Sequence, residues 1–153
     1  LLPARRGCCP AFGPSAGDPA VTPADMAVLH GRCFTTPRPW SEAEFAGFLT
    51  DPLAFLLVEA DAGFLLGRAV AGEAELLTLA VAPEARRQGI GAALLADFVV
   101  ASRARGATDA FLEVAADNAG AIALYASRGW AAAGRRRNYY APGIDAILMR
   151  QAL

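Results

Sequence analysis

The stretch Glu75-Leu76-Leu77-Thr78-Leu79-Ala80-Val81-Ala82-Pro83-Glu84-Ala85-Arg86-Arg87-Gln88-Gly89-Ile90-Gly91-Ala92 constrains the fold more than any other part of the chain. Glu75–Val81 reads as a strand, and Pro83 stops it. The apolar stripe of Ile90, Leu94, Leu95, Phe98 and Val99 marks a long helix that Gly106 ends. The chain must therefore pass from strand to helix across Arg-x-x-Gly-x-Gly. A helix N-terminus presents unpaired N–H groups and a partial positive charge, which together suit an anion. Glycines let the backbone approach that anion closely, and two arginines add forked donors for phosphate oxygens. The parts suit a pyrophosphate. They do not complete a dinucleotide-binding Gly-x-Gly-x-x-Gly, because Leu94 stands at the third position and the preceding strands read as antiparallel.

The rest of the chain arranges itself around this turn. Thr22 caps a helix with Pro23 at its first position and Met26, Leu29 and Cys33 on one face. A proline-rich turn, Thr35 to Pro39, leads to Ser41 and Glu44, a capping box for a second helix ending near Leu49. Strands follow at Ala54–Ala60, Phe64–Ala71 and Glu75–Val81, with a tight turn at Asp61-Ala62-Gly63, and they make an antiparallel meander. After the long helix come a short buried strand, Phe111–Val114, and a helix capped by Asp117 or Asn118 that ends near Arg128-Gly129. Trp130–Asn138 and Ile144–Gln151 close the sheet. The class is α/β (α+β), a mixed, mostly antiparallel sheet flanked by helices. Residues 1–20, broken by Pro3, Pro10, Pro14 and Pro19, read as a loosely ordered tail ahead of a domain over 21–153.

Composition removes several chemistries. All fourteen basic residues are arginine, so a Walker phosphate loop, a Schiff-base lysine and a kinase strand lysine are excluded. The single histidine, His30, argues against a histidine-rich metal centre or a serine triad, and it reads as a residue packed on its helix. Cys8, Cys9 and Cys33 lack zinc-ligand spacing and suit a reduced, cytoplasmic protein without a metal. A net charge of −1 argues against a nucleic-acid surface. Apolar runs stay short of the roughly 18–20 residues of a membrane span.

Strand–Arg-x-x-Gly-x-Gly–helix resembles the acetyl-CoA pyrophosphate loop of the GNAT N-acetyltransferases. Leu112-Glu113-Val114, Asn118, Ala121-Ile122-Ala123-Leu124-Tyr125 and Arg128-Gly129-Trp130 resemble their second signature. With Pro39-Trp40-Ser41-Glu42 and Arg136-Arg137-Asn138-Tyr139-Tyr140, the combination is similar to the RimI type, which acetylates the N-terminal alanine of a small-subunit ribosomal protein. The resemblance runs from Thr22 to the C-terminus and implies a splayed central strand pair. It implies acetyl-CoA as cosubstrate, held by Leu79, Ala80 and Val81, by Arg86, Arg87, Gln88, Gly89, Ile90, Gly91 and Ala92, and by Asn118. Glu113 would be the general base and Tyr125 the acid toward the leaving sulfur. Trp40, Tyr139 and Tyr140 would line the acceptor side. Read without the resemblance, Glu113 is a strand carboxylate paired with an arginine, and Tyr125 is a core aromatic. Arg135-Arg136-Arg137 is by the same reading a solvated edge. Two other functions remain: acetylation of a small-molecule amine, and a non-catalytic acetyl-CoA-binding module. The family's opening strand has no clear counterpart, because Phe12–Val21 is too rich in Pro and Gly.

The acceptor's own acidity bears on the choice. An α-amine of pKa about 7.8 is neutral about one time in seven at pH 7, whereas a lysine amine is neutral about once in 2,500. A modest base therefore has less to do on an N-terminus.

Overall fold

Two capping boxes start the first two helices. Before helix α1 (Pro23–Cys33), the Thr22 hydroxyl accepts the Asp25 N–H at 3.1 Å and the Asp25 carboxylate accepts the Thr22 N–H at 2.9 Å. Before helix α2 (Glu42–Thr50), Ser41 and Glu44 make the same exchange at 3.2 and 2.7 Å. Each exchange satisfies two backbone donors that a helix end would otherwise leave unpaired. The structure, a computed structural model, describes residues 21–59 and 62–153. The tail over 1–20 with Cys8 and Cys9, nearly all of the Phe12–Val21 segment, and Ala60-Asp61 of the first turn lie outside the described residues.

Among the described residues one six-stranded sheet forms: β1 (Ala54–Glu59), β2 (Gly63–Val70), β3 (Glu73–Val81), β4 (Asp109–Ala115), β5 (Ala131–Ala141) and β6 (Ile144–Ala152). Its order is β1-β2-β3-β4-β6-β5. β1 to β3 are the antiparallel meander, and β3 with β4 is the one parallel pair. Helix α3 (Ile90–Ala104) connects those two strands, as a parallel pair requires. Helix α4 (Ala119–Ser127) leads on to β5 at the far edge, and β6 returns between β5 and β4.

The long helix starts at Ile90, three to four residues later than the Arg86–Gly91 motif suggests. Pro83–Ala85 make one 3₁₀ turn, and left-handed residues at Arg87 and Gly89 keep the chain out of the α conformation until Ile90. The closing strand extends to Ala141, past Asn138, and Trp130 stands just ahead of it, buried against Phe98.

The sheet carries an apolar core on each face. On one side α3 and α4 cover Phe55, Leu57, Leu65, Leu76, Leu112 and Met149 with Leu94, Leu95, Phe98 and Tyr125. On the other, α1 and α2 set Met26 and Phe45 against Phe64, Leu66 and Ala80. Each fully buried large side chain contributes about 1.5–3 kcal/mol, so these two layers outweigh any single polar contact.

One residue of β3 breaks the alternation. Leu66 pairs with Thr78 and Gly67 with Leu76, which leaves Leu77 without a partner on β2. Ala74 and Leu76 face the α3 core, Leu77 packs on the α1/α2 core, and Leu79 is back on the α3 side. A bulge of this kind re-phases the strand beyond it.

His30 of α1 is buried between the two capped helices and the sheet. Burial holds its imidazole well below the usual value, at about 4, against a small opposing effect of the Glu44 charge. An unfolded chain binds a proton on this ring below about pH 6.5. The folded chain binds it only near pH 4, so the unfolded state is favoured progressively as pH falls from about 6.5. Urea midpoints measured between pH 7.5 and pH 5 are expected to decline for the native chain. The decline is expected to be flatter for His30→Gln, which does not titrate; equal slopes would contradict this assignment.

Candidate active site

β3 and β4 stop pairing just where the bulge occurs. The parallel ladder runs from Glu73 opposite Asp109 to Leu76 opposite Leu112 and goes no further. Beyond it β3 continues along β2, with Leu65 opposite Leu79 and Gly63 opposite Val81. The Ala82 N–H reaches toward β2, donating to the Ala62 carbonyl at 2.7 Å. Because successive residues of a strand direct their backbone groups to opposite sides, Val81 and Leu79 direct theirs into the open side of the splay. The Val81 carbonyl shows this orientation, since it accepts from the Cys33 thiol at 3.3 Å and from Arg86 Nε–H at 3.4 Å. The amide of Leu79, and that of Val81 beside it, are thus left for a ligand. The Ala80 side chain packs into the α1/α2 core between them.

The same strand delivers the chain to the glycine turn. Arg87 has φ of 63° and Gly89 φ of 79°, two left-handed residues flanking Gln88. Alternation of this kind curls consecutive N–H groups toward one point, and an anion fits in that concavity. Gly89 is the N-cap of α3 and offers no side chain, so the first amides of the helix, at Ile90, Gly91 and Ala92, have no side-chain cap. Gly91 serves a different purpose. A Cβ on it would meet Leu124 of α4 at 3.0 Å, so its bareness lets α4 close against the start of α3. Asn118 Oδ1 accepts the Ala121 N–H at 3.1 Å, which engages the carbonyl end of the amide and leaves its NH₂ for other partners. This cradle fits a pyrophosphate on its own geometry.

Glu113 leaves β4 one residue past the last parallel pair, on the face opposite Leu112. It is paired with an arginine: Arg136 of β5 lies 3.1 Å from its carboxylate. The Arg136 guanidinium also sits 5.2 Å from the ring centre of Tyr139, which packs edge to face on Tyr140 at 5.1 Å. The Tyr140 phenol is pushed up to about 12, by burial first and then by the charges of Glu113 and Tyr139, with Arg136 opposing. Tyr125 of α4 is raised above its ordinary value by burial and then by Tyr140. Its hydroxyl makes no hydrogen bond to another described residue, and it stays protonated throughout the working pH range. Glu113, Tyr125, Tyr140 and Arg136 therefore interact around the splay, although they come from three different elements.

Other residues fall elsewhere. Trp40 packs among His30, Phe45 and Phe48 at the start of α2, and its ring serves as much as core as wall. Tyr139 is half-exposed at 51%. The arginine run lies exposed on the edge strand β5, as its sequence suggests, with Arg135 paired to Asp145 and Arg136 to Glu113. Cys33 is the free thiol among the described residues, engaged with Val81. Two participants were not singled out in the sequence. Glu75, opposite Phe111 in the parallel ladder, has its carboxyl pushed up by burial and by the Glu113 charge, with Arg68 opposing. Thr78 is the buried hydroxyl beside the bulge. The alternation of β3 could have placed Glu75 on the Glu113 face, but only once the bulge and the pairing with β4 were known.

Comparison with known proteins gives the family of the chain. Residues 24–130 match the Acetyltransferase (GNAT) family. Ribosomal protein bS18-alanine N-acetyltransferase of Salmonella typhimurium is 43% identical over 117 residues, which are 72% of this chain and 79% of that protein. N-alpha-acetyltransferase RimI of Mycobacterium tuberculosis is 36% identical over 144 residues, 86% of this chain and 89% of that one. The crystal structure of the ribosomal-protein-S18-alanine N-acetyltransferase from Escherichia coli has a TM-score of 0.76 at 35% identity, covering 85% of this chain and 86% of that chain.

The two kinds of glycine in the chain predict opposite effects of adding a methyl group. Gly89→Ala meets no neighbour within 4 Å and is opposed only by its left-handed φ, for a loss of about 1–2 kcal/mol. Gly47→Ala, inside α2 and equally free of neighbours, is expected to gain about 0.5–1 kcal/mol. Chemical denaturation of the two variants reads both signs. A stabilised Gly89→Ala would contradict the geometry of the turn.

Proposed function

The chain belongs to the GNAT acetyltransferase family and is an N-acetyltransferase, and we propose that it acetylates the N-terminal alanine of a small-subunit ribosomal protein, with acetyl-CoA as donor. The observation that carries this reading is the convergence of Glu113, Tyr125 and Tyr140 on the splay between β3 and β4, beside an uncapped helix N-terminus. Named relatives that act on such a terminus support the choice of acceptor. Residues 21–153 are taken as the catalytic domain, and an acceptor on the ribosome puts the enzyme in the cytoplasm.

Acetyl-CoA, when bound, supplies a thioester carbonyl to be attacked and a sulfur to leave. Arg86 and the amides of Arg87 to Ala92 would hold its pyrophosphate, and the Asn118 amide would contact the cofactor. The amides of this stretch would divide the work, that of Leu79 donating to the carbonyl oxygen as negative charge develops on it and that of Val81 holding the pantetheine, in fixed positions that need no reorganisation. Glu113 takes the proton from the acceptor ammonium, its carboxylate oriented by Arg136. The Tyr125 hydroxyl donates to the sulfur. Its raised pKa makes complete transfer to a thiolate of ordinary pKa near 8.5 unfavourable, so its contribution is a hydrogen bond made as the charge appears. Trp40, Tyr139 and Tyr140 line the acceptor side.

Thiol release from acetyl-CoA, followed with peptides beginning Ala, Ser or Met and with an acetyl-blocked peptide carrying an internal Lys, tests the reading. Turnover is expected with the Ala terminus and none with the internal lysine; turnover confined to small-molecule amines would overturn it. Glu113→Gln is expected to lower kcat by about a hundredfold. Tyr125→Phe should lower it by about ten- to a hundredfold, from loss of a hydrogen bond to a charged group. Both variants are expected to keep their acetyl-CoA affinity, and loss of that affinity would remove the two residues from the chemical step.

A further inference from the structure

Among the described residues three polar side chains are buried, His30, Thr78 and Ser102, and two of them are bonded to each other. His30 Nε2 lies 2.9 Å from Thr78 Oγ1. The opposite ring nitrogen, Nδ1, accepts the Trp40 backbone N–H at 3.0 Å. A nitrogen that accepts carries no proton, so the proton of this neutral ring is on Nε2, and Nε2–H donates to Thr78. The ring is also fixed in plane. It stacks on Phe34 at 4.3 Å and on Trp40 at 5.4 Å, with Phe45 edge-on at 5.4 Å. A protonated ring would turn Nδ1 into a donor facing the Trp40 N–H, so the two contacts exist together only while the ring is neutral.

What the ring joins gives these contacts their meaning. Thr78 follows the unpaired Leu77, and the bulge is the reason Thr78 faces α1 at all. The next residue, Leu79, directs its amide into the splay. Trp40 stands near the end of the loop between α1 and α2, which the proposed reading assigns to the acceptor side. We infer that His30 is a positioning residue for acetyl transfer: its imidazole ties the acceptor-side loop at Trp40 to the bulged strand at Thr78 and so sets the distance between acceptor and thioester. The inference rests on the proposed reading of the site for what each side holds, but not for the contacts themselves. His30 touches neither reactant.

The test separates linkage from packing. His30→Phe keeps the stacked ring and removes both hydrogen bonds, leaving the Trp40 N–H and the Thr78 hydroxyl without a partner. Its kcat/KM for an N-terminal Ala peptide is expected to fall about tenfold or more, from a raised acceptor KM and a lowered kcat together. Acetyl-CoA affinity, set at the glycine turn, should stay within about twofold. His30→Gln supplies one acceptor and one donor on a planar group and is expected to recover most of the loss. Thr78→Val removes only the strand end of the link, and it is expected to lower kcat while leaving acceptor KM near the native value. ¹⁵N NMR of the native chain should show the Nε2–H tautomer at pH 7. Native kinetics in a folded His30→Phe, or an Nδ1–H tautomer, would overturn the inference. Should His30→Phe fail to fold, native kcat in Thr78→Val would overturn it instead. Absence of turnover by the native chain with any N-terminal peptide would count against the proposed acceptor, and the NMR result would then decide the linkage by itself.

Discussion

Leu77 occupies β3 without a partner on β2, and the consequences spread from there through the molecule. One extra residue turns the following side chains over, so Leu79 returns to the α3 core while Thr78 and Ala80 face α1 and α2. It also coincides with the end of the parallel ladder at Leu76 and Leu112. A strand that kept its pairing on both sides would have every amide engaged and nothing to offer a ligand. Here the sheet stays whole on the β2 side and opens on the β4 side, so the strand is anchored and its outward donors remain available. The two apolar cores make that opening tolerable, because the helices on both faces hold β3 and β4 in place where hydrogen bonds no longer do.

Charge is distributed to serve the opening more than the fold. Exposed pairs such as Arg38 with Glu44 contribute little to stability, about 0–1 kcal/mol each. The pair that matters is Glu113 with Arg136, since it joins β4, one side of the splay, to the edge strand β5 across the intervening β6. Tyr125, Tyr140 and Glu75 each have a raised pKa that follows from burial first and a nearby charge second. A site that removes water in this way strengthens hydrogen bonds to developing charge. The absence of lysine is no handicap to the proposed reaction, in which backbone amides would hold the phosphates, a carboxylate would take the acceptor's proton and a phenol would hydrogen-bond the leaving sulfur.

Much was legible from local pattern. The Ser41–Glu44 box, the Pro23 helix start, the meander and the strand-to-helix turn each depend on residues only a few positions apart, and all are present. The Thr22–Asp25 box went unnoticed, because Asp stands where Glu or Gln is usual. Less was legible at the site. Flanking motifs single out Glu113 and Tyr125 as candidates, whereas the run holding Arg136 reads as a solvated edge and His30 as a residue packed on its helix; both readings hold for position, but neither gives a partner. One reason covers both: the partners of Arg136 and His30 lie 23 and 48 residues away in sequence, and no local period encodes such a pairing.

The sequence alone determined that a strand must give way to a helix across glycines and arginines, and therefore that an anion could be held there. It also determined that no lysine chemistry was available, and that carboxylate and phenol would stand on particular elements. Only the tertiary structure decided where β3 and β4 part and which residue is left over at the bulge. It alone set the one imidazole between Trp40 and Thr78. The physical reason is that capping, turn preference and amphipathic period act over one or two turns of chain. Register, splay and a buried hydrogen bond are settled by which surfaces pack, and packing joins residues that the sequence holds far apart.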